Sequence, residues 1–183
     1  VVSRVRFDWR AMKLAGPVEA VTYGWFPDVS PDGQWLVVND SSMSRLSEDL
    51  VVVRPDGTGR RKLTDDAARN RLPRFAPDGQ RVVFYSDRSG KFEVWSIALD
   101  GSDLRRLSQD EDELSFAVPN PSDARIVARA VNRGLRRQRP PVVFDSAQPL
   151  AEQRPIEAPA MDDPTQNFQP VGWTADGAEV VGI

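Results

Sequence analysis

Four arginines, Arg133, Arg136, Arg137 and Arg139, fall within seven residues of this chain. A guanidinium is a planar fork of N–H donors that matches a carboxylate or phosphate two bonds at a time. Such a run suits a docking surface for an acidic protein segment or a phosphate; a solvated hairpin extension would use the same residues. Asp40, Asp65, Asp66, Asp87 and Arg88 stand where apolar, strand-like runs end, the positions from which binding loops are displayed. Turn formation and local ion pairing are the competing roles for these residues. The acidic run Gln109-Asp110-Glu111-Asp112-Glu113 offers hard oxygen ligands, but it lacks the alternating spacing that wraps one calcium ion and reads as an exposed connection.

Reaction chemistry is narrowed by what the chain lacks. With no histidine and no cysteine there is no Ser-His-Asp triad, no thiolate nucleophile and no His- or Cys-ligated metal. No Gly-x-Ser-x-Gly elbow, Gly-x-Gly-x-x-Gly turn or phosphate loop occurs. Carboxylate or lysine chemistry is what is left, so we expect no catalytic residue, cofactor or metal in this segment. With 24 basic and 27 acidic residues the net charge is −3, whereas nucleic acid asks for a basic face with stacking aromatics. A protein or peptide is the expected partner. No apolar run approaches the roughly 20 residues of a membrane-spanning helix. Absence of cysteine fits the cytosol and a disulfide-free periplasmic protein alike.

The elements that position these residues come from an internal repeat. Ser30-Pro31-Asp32-Gly33-Gln34-Trp35-Leu36-Val37-Val38 returns 46 residues later as Ala76-Pro77-Asp78-Gly79-Gln80-Arg81-Val82-Val83-Phe84, and Asp56-Gly57 through Leu63-Thr64 returns 44 residues later as Asp100-Gly101 through Leu107-Ser108. Self-similarity at this period marks a repeat architecture. Within one unit, Leu72–Phe75 is a short first strand whose Pro73 should end the ladder. Pro77-Asp78-Gly79 is a tight turn and Arg81–Ser86 a second strand, apolar on both faces as when sandwiched between neighbours. Asp87–Gly90 turns, Phe92–Leu99 is the third strand, Asp100-Gly101 a hairpin signal and Leu104–Leu107 a charged edge strand. Four antiparallel strands per unit make the blade of a β-propeller.

The template divides one propeller domain into a second half-blade (1–25), a blade (26–64) with a hairpin lengthened through Asp40–Glu48, a blade (72–108), a degenerate blade (116–157) and a first half-blade (168–183). The fold class is therefore all-β, a partial propeller of about three blades and two halves. Both ends read as cut, so the lack of a signal peptide carries no information about export. Unless the two halves pair, apolar blade faces should stand open at the breaks, and the isolated segment should bind hydrophobic dyes. Trp35, Trp95, Trp173, Phe75, Phe84 and Phe116 are expected in the cores between blades.

This pattern resembles the TolB-like propeller repeat, a relative of the WD-repeat fold: an apolar or aromatic residue, Ser-Pro-Asp-Gly, an apolar strand ending near Ser-Asp, Arg-x-Gly, a second apolar strand, Asp-Gly and a terminal Leu-Thr. Phe75–Ser108 matches nearly every element, Val29–Thr64 matches both ends, Ala175-Asp176-Gly177 matches weakly, and 116–157 departs at both Asp-Gly positions. The resemblance implies the fold and three kinds of use: a periplasmic docking platform, the substrate-gating propeller of a prolyl oligopeptidase or dipeptidyl peptidase-type serine peptidase whose catalytic domain lies elsewhere, or a sensing module attached to a kinase or winged helix. A non-catalytic scaffold in the periplasm, or otherwise outside the cytoplasm, is the expectation taken forward, with a cytoplasmic location also open and Asp40, Asp87, Arg88, Arg133, Arg136, Arg137 and Arg139 as its candidate partner-binding residues.

Overall fold

The computed structural model describes residues 1–40, 48–132, 137–159 and 168–183, with backbone alone at 137 and 138. Strands β1 (Val2–Asp8) and β2 (Lys13–Thr22) form a hairpin. Strands β3 (Trp25–Val29), β4 (Leu36–Asp40), β5 (Asp49–Val53) and β6 (Arg61–Lys62) make a four-stranded antiparallel meander. A second meander consists of β7 (Asn70–Phe75), β8 (Arg81–Ser86), β9 (Glu93–Ala98) and β10 (Arg105–Arg106). The third comprises β11 (Glu113–Pro119), β12 (Arg125–Asn132), β13 (Arg137–Gln138), β14 (Val142–Asp145) and β15 (Ile156–Glu157), with β13 pairing the far end of β12. Strands β16 (Pro170–Trp173) and β17 (Val180–Gly182) close the order as a two-stranded sheet. This is a partial propeller of three blades and two halves, and no helix occurs among the described residues.

Short-range chemistry sets each blade. In the Pro-Asp-Gly turns, Gly33 and Gly79 adopt φ of 69° and 66°, a region an L side chain enters only with strain. Asp32 and Asp78 each accept the N–H two residues ahead at 2.9 Å. At the blade's outer edge the terminal hydroxyl is a latch: Thr64 Oγ1 accepts the Leu50 N–H and Ser108 Oγ the Val94 N–H, both at 2.9 Å and buried. That bond extends a two-residue edge strand by one more contact to its neighbour.

Every innermost strand carries a bulge. Register breaks fall between Trp25 and Asp28, Arg71 and Arg74, Ser115 and Val118, and Pro170 and Gly172. Phe26, Leu72 and Phe116 sit in the first three of these with φ near +50°. The first strand of the second blade therefore reaches back to Asn70 and not only to Leu72. Pro73 interrupts the ladder instead of ending it, because a bulge is a place where the missing N–H is tolerated.

The apolar cores lie between blades. Alternation along β8 sends Val82 and Phe84 against Val37, Leu50 and Val52 of the first blade, while Val83 packs with Leu114, Ile126 and Ala128 of the third. Phe75 and Phe84 are in this packing, and half-buried Trp35 and Trp95 lie against it. Trp173 is half-buried and donates its indole N–H to the Val118 carbonyl at 3.0 Å. Phe116 is half-buried and stands outside the aliphatic clusters, but its ring stacks on Tyr85 of the second blade at 5.9 Å and so also lies between blades. The half-blades remain separate sheets, and Phe7, Trp9, Met12, Leu14 and Val18 at one end and Val171, Val181 and Ile183 at the other are exposed.

Candidate binding face

Because the strands alternate in direction, the Pro-Asp-Gly and Asp-Gly turns emerge on one face of the propeller segment. The second-to-third-strand hairpins and the links between blades emerge on the other. We call these the turn face and the loop face. An isolated parallel bridge, with Glu48 N–H donating to the Ala68 carbonyl (3.2 Å) and Asn70 N–H to the Glu48 carbonyl (2.9 Å), ties the first blade to the second on the loop face.

Asp87 and Arg88 are brought together there. The Arg69 backbone N–H and guanidinium reach the Asp87 carboxylate at 2.8 and 2.7 Å. Burial pushes the Asp87 carboxyl up, but these bonds and the Arg69 charge outweigh it and hold the group below the usual carboxylate value. Arg88 turns inward, donating to Asn70 Oδ1 (2.6 Å) and Ser86 Oγ (3.1 Å), pairing with Asp66 (3.1 Å), and lying 5.1 Å from the Trp95 ring. Desolvation lowers its pKa, and Asp66 opposes that. Asp66, Ala67, Ala68, Asp87 and Arg88 line an open depression of about 460 Å³.

The other candidates lie apart from this group. Asp40 ends β4 and pairs with Arg60 at 2.5 Å. Arg139 is held by its own blade, bonding Asp110 (3.2 Å), Asp112 (2.8 Å) and Glu157; the bonds to Asp112 and then Glu157 raise its already high pKa. The acidic run is thus less solvated than its composition suggests, because Asp112 is buried. Arg137 belongs to β13, opposite Asn132, and Arg133 and Arg136 lie outside the described residues.

Residues not singled out from sequence complete the face. Glu48 accepts both Arg71 and the Asn39 amide (3.1 Å), linking two blades. Phe92, Tyr85 and Phe116 form a column of rings, Phe92 edge-on to Tyr85 at 5.2 Å and Tyr85 stacked on Phe116 at 5.9 Å. Arg69 and Arg71 lie 4.9 and 5.7 Å from the Phe92 ring. Nearer the axis, Phe26, Leu72, Phe116 and Val171, one from each innermost strand, line a cavity of about 170 Å³ beside Arg74, which pairs with Asp28 at 3.6 Å. Their spacing in the repeat was the available signal, but a positive φ at a bulky residue has no sequence mark.

The turn face contrasts with this. A cleft of about 490 Å³ between the second and third blades has Arg81, Arg105, Arg106 and Arg125 in its walls. Each is already engaged: Arg81 and Arg105 with Asp103, Arg106 with the fully buried Glu93, Arg125 with Asp123.

The family model for the TolB β-propeller domain matches residues 17–161 of this chain. The chain belongs to that family. An uncharacterised protein of Agrobacterium fabrum is 30% identical to this TolB-family chain over 108 residues, 57% of the chain and 34% of the relative. Dipeptidyl-peptidase 5 of Porphyromonas endodontalis is 32% identical over 85 residues, 44% of the chain and 12% of the peptidase. The Tol-Pal system protein TolB of Bordetella pertussis is 38% identical over 58 residues, 32% of the chain and 13% of that protein. The chain thus spans about a third or less of the length of these relatives. Among solved structures, a putative TolB from Agrobacterium tumefaciens superposes with a TM-score of 0.64 at 21% identity, covering 76% of the chain and 52% of that structure.

Proposed function

We propose that this TolB-family chain is a non-catalytic scaffold that binds a protein or peptide on its loop face. The asymmetry between the faces carries this reading. Turn-face carboxylates are consumed by their own turns beside a cleft walled by paired arginines, whereas the loop face sets its ion pairs, Arg69–Asp87 and Arg88–Asp66, at an open depression beside an aromatic column and an apolar axial cavity. Charged forks around apolar surface suit an extended peptide, whose backbone and acidic groups need partners and whose side chains need pockets. Membership of the TolB family supports a location in the periplasm or otherwise outside the cytoplasm, which fractionation of cells expressing the full gene tests directly.

The binding test is a selection of heptapeptides from a displayed library, followed by affinities of synthetic peptides. Arg69→Glu on the loop face should weaken the selected peptides at least about tenfold, a difference of about 1.4 kcal/mol, and Gln80→Ala on the turn face should leave them unchanged. Peptides that ignore the first and respond to the second would sink the reading.

A second reading, the substrate-gating propeller of a serine peptidase, is favoured by the likeness to dipeptidyl-peptidase 5. It requires a Gly-x-Ser-x-Gly motif and a later histidine in the coding sequence downstream of Ile183, so reading that sequence separates the two.

A further inference from the structure

Position for position, the second strands of the three blades begin alike, with Trp35, Arg81 and Arg125 following their turns. Four residues on stand Asn39, Tyr85 and Arg129, paired across to Trp25, Arg71 and Ser115 of the innermost strands. One place in the repeat therefore presents three different chemistries beside the innermost strands. Asn39 is engaged by Glu48, and Tyr85 is in the aromatic column.

Arg129 is different. Its guanidinium lies 5.5 Å from the Phe116 ring, yet its Nε–H is buried with no hydrogen-bond acceptor, and it meets no carboxylate among the described residues. The contrast with the other end of the same column is direct: Arg69 and Arg71, over Phe92, are neutralised by Asp87 and Glu48. A half-buried cation with an unmet donor is an unfavourable arrangement unless an anion completes it. A planar fork beside an aromatic face is also a shape that receives a carboxylate carried on an apolar group.

We infer that Arg129, flanked by Phe116 and Tyr85, is the carboxylate-binding position of the loop face, with the apolar part of the ligand lying toward Phe116 and the axial cavity that Phe116 shares with Leu72 and Phe26. The inference rests on the peptide-binding reading and names the group such a peptide presents. A peptide's C-terminal carboxylate and an acidic side chain carry the same chemistry, and the two sources are separable.

The test uses small probes and the Arg129 Nε–H signal in 15N NMR spectra of the intact chain. N-acetyl-phenylalanine carries a free terminal carboxylate, N-acetyl-phenylalaninamide carries none, and N-acetyl-glutamic acid α-amide carries only the side-chain one. At roughly 10 mM, where a millimolar ligand saturates, the first or third probe should shift that signal and the second should leave it in place. Whichever carboxylate probe shifts the signal at the lower concentration identifies the source. For variants, which lack that signal, the backbone amide shifts of Tyr85 and Phe116 report binding: Arg129→Lys keeps the charge but not the fork and should weaken the carboxylate probe several-fold, and Arg129→Gln should abolish its effect without lowering the melting temperature, because it removes an unmet cation. Equal response to the amide, undiminished binding by both variants, or no shift with any carboxylate overturns the assignment. Should library-selected peptides still depend on Arg69 while no carboxylate probe reaches Arg129, only this inference fails.

Discussion

On the turn face, Asp32, Asp56, Asp100 and Asp176 do one job four times, each accepting the N–H two residues ahead at 2.8 to 3.1 Å together with a neighbouring hydroxyl. On the loop face, equivalent places hold unlike residues: Asn39, Tyr85 and Arg129 in one row, the first bonded to a carboxylate, the second stacked in a ring column, and the third with its Nε–H lacking an acceptor among the described residues. Repetition marks the residues that build a blade, and its failure marks those that distinguish one blade from the next. In a repeat protein the informative sequence signal for recognition is therefore variation at a fixed position.

If the faces divide the work in this way, substitutions should divide too. The scale is set beneath both faces: Phe84→Ala empties a fully buried site between two blades and should cost about 3–5 kcal/mol in urea unfolding. Gly101→Val on the turn face puts a β-branched residue at φ of 90° and should cost about 1–3 kcal/mol, leaving peptide affinity of the folded fraction untouched. A loss of affinity there would break the comparison.

Acid tests the turn-face carboxyls, and Asp87 on the loop face, depressed likewise, adds to the same decline. Hydrogen bonds from Ser30, Thr58, Ser102 and Thr174 hold the turn-face carboxyls of Asp32, Asp56, Asp100 and Asp176 below the ordinary value of 3.8. Groups depressed in the folded state lend stability above their unfolded value, and that stability disappears as pH falls through the folded one. Stability should be level above about pH 5 and decline below 3.8, with a shallower decline once these four are replaced by Asn. The smallest effect on stability is expected of Asp87→Asn, under about 1 kcal/mol for a partly exposed pair, with a clear loss of peptide binding. An Asp87→Asn variant that loses stability yet keeps its peptide affinity would reverse the assignment of the loop face.

The blade was legible in the sequence because its turns use residues with one conformational reason each. Proline presets φ, aspartate bonds its own backbone and glycine enters positive φ. The strand Arg81–Ser86 and the hairpin at Asp100-Gly101 stand where those rules put them. The bulges were hidden, since Phe26, Leu72 and Phe116 are ordinary strand formers whose left-handed backbone is imposed by the pairing around them. Asp66, Asp87 and Arg88 were visible as strand-end residues. Their partner Arg69 was not, because the link that carries it is positioned by the bridge between blades.

The alternation along β8 has a consequence for motion. With Val82 and Phe84 committed to one neighbour and Val83 to the other, the second blade owns no private core. Fraying of either flanking blade leaves it half supported, and only opening of the whole array releases it. The backbone amides of β8 and β9 should therefore be the last to exchange with deuterium, and those of the β1–β2 hairpin the first, so that exchange rates rise outward along the chain from its middle blade.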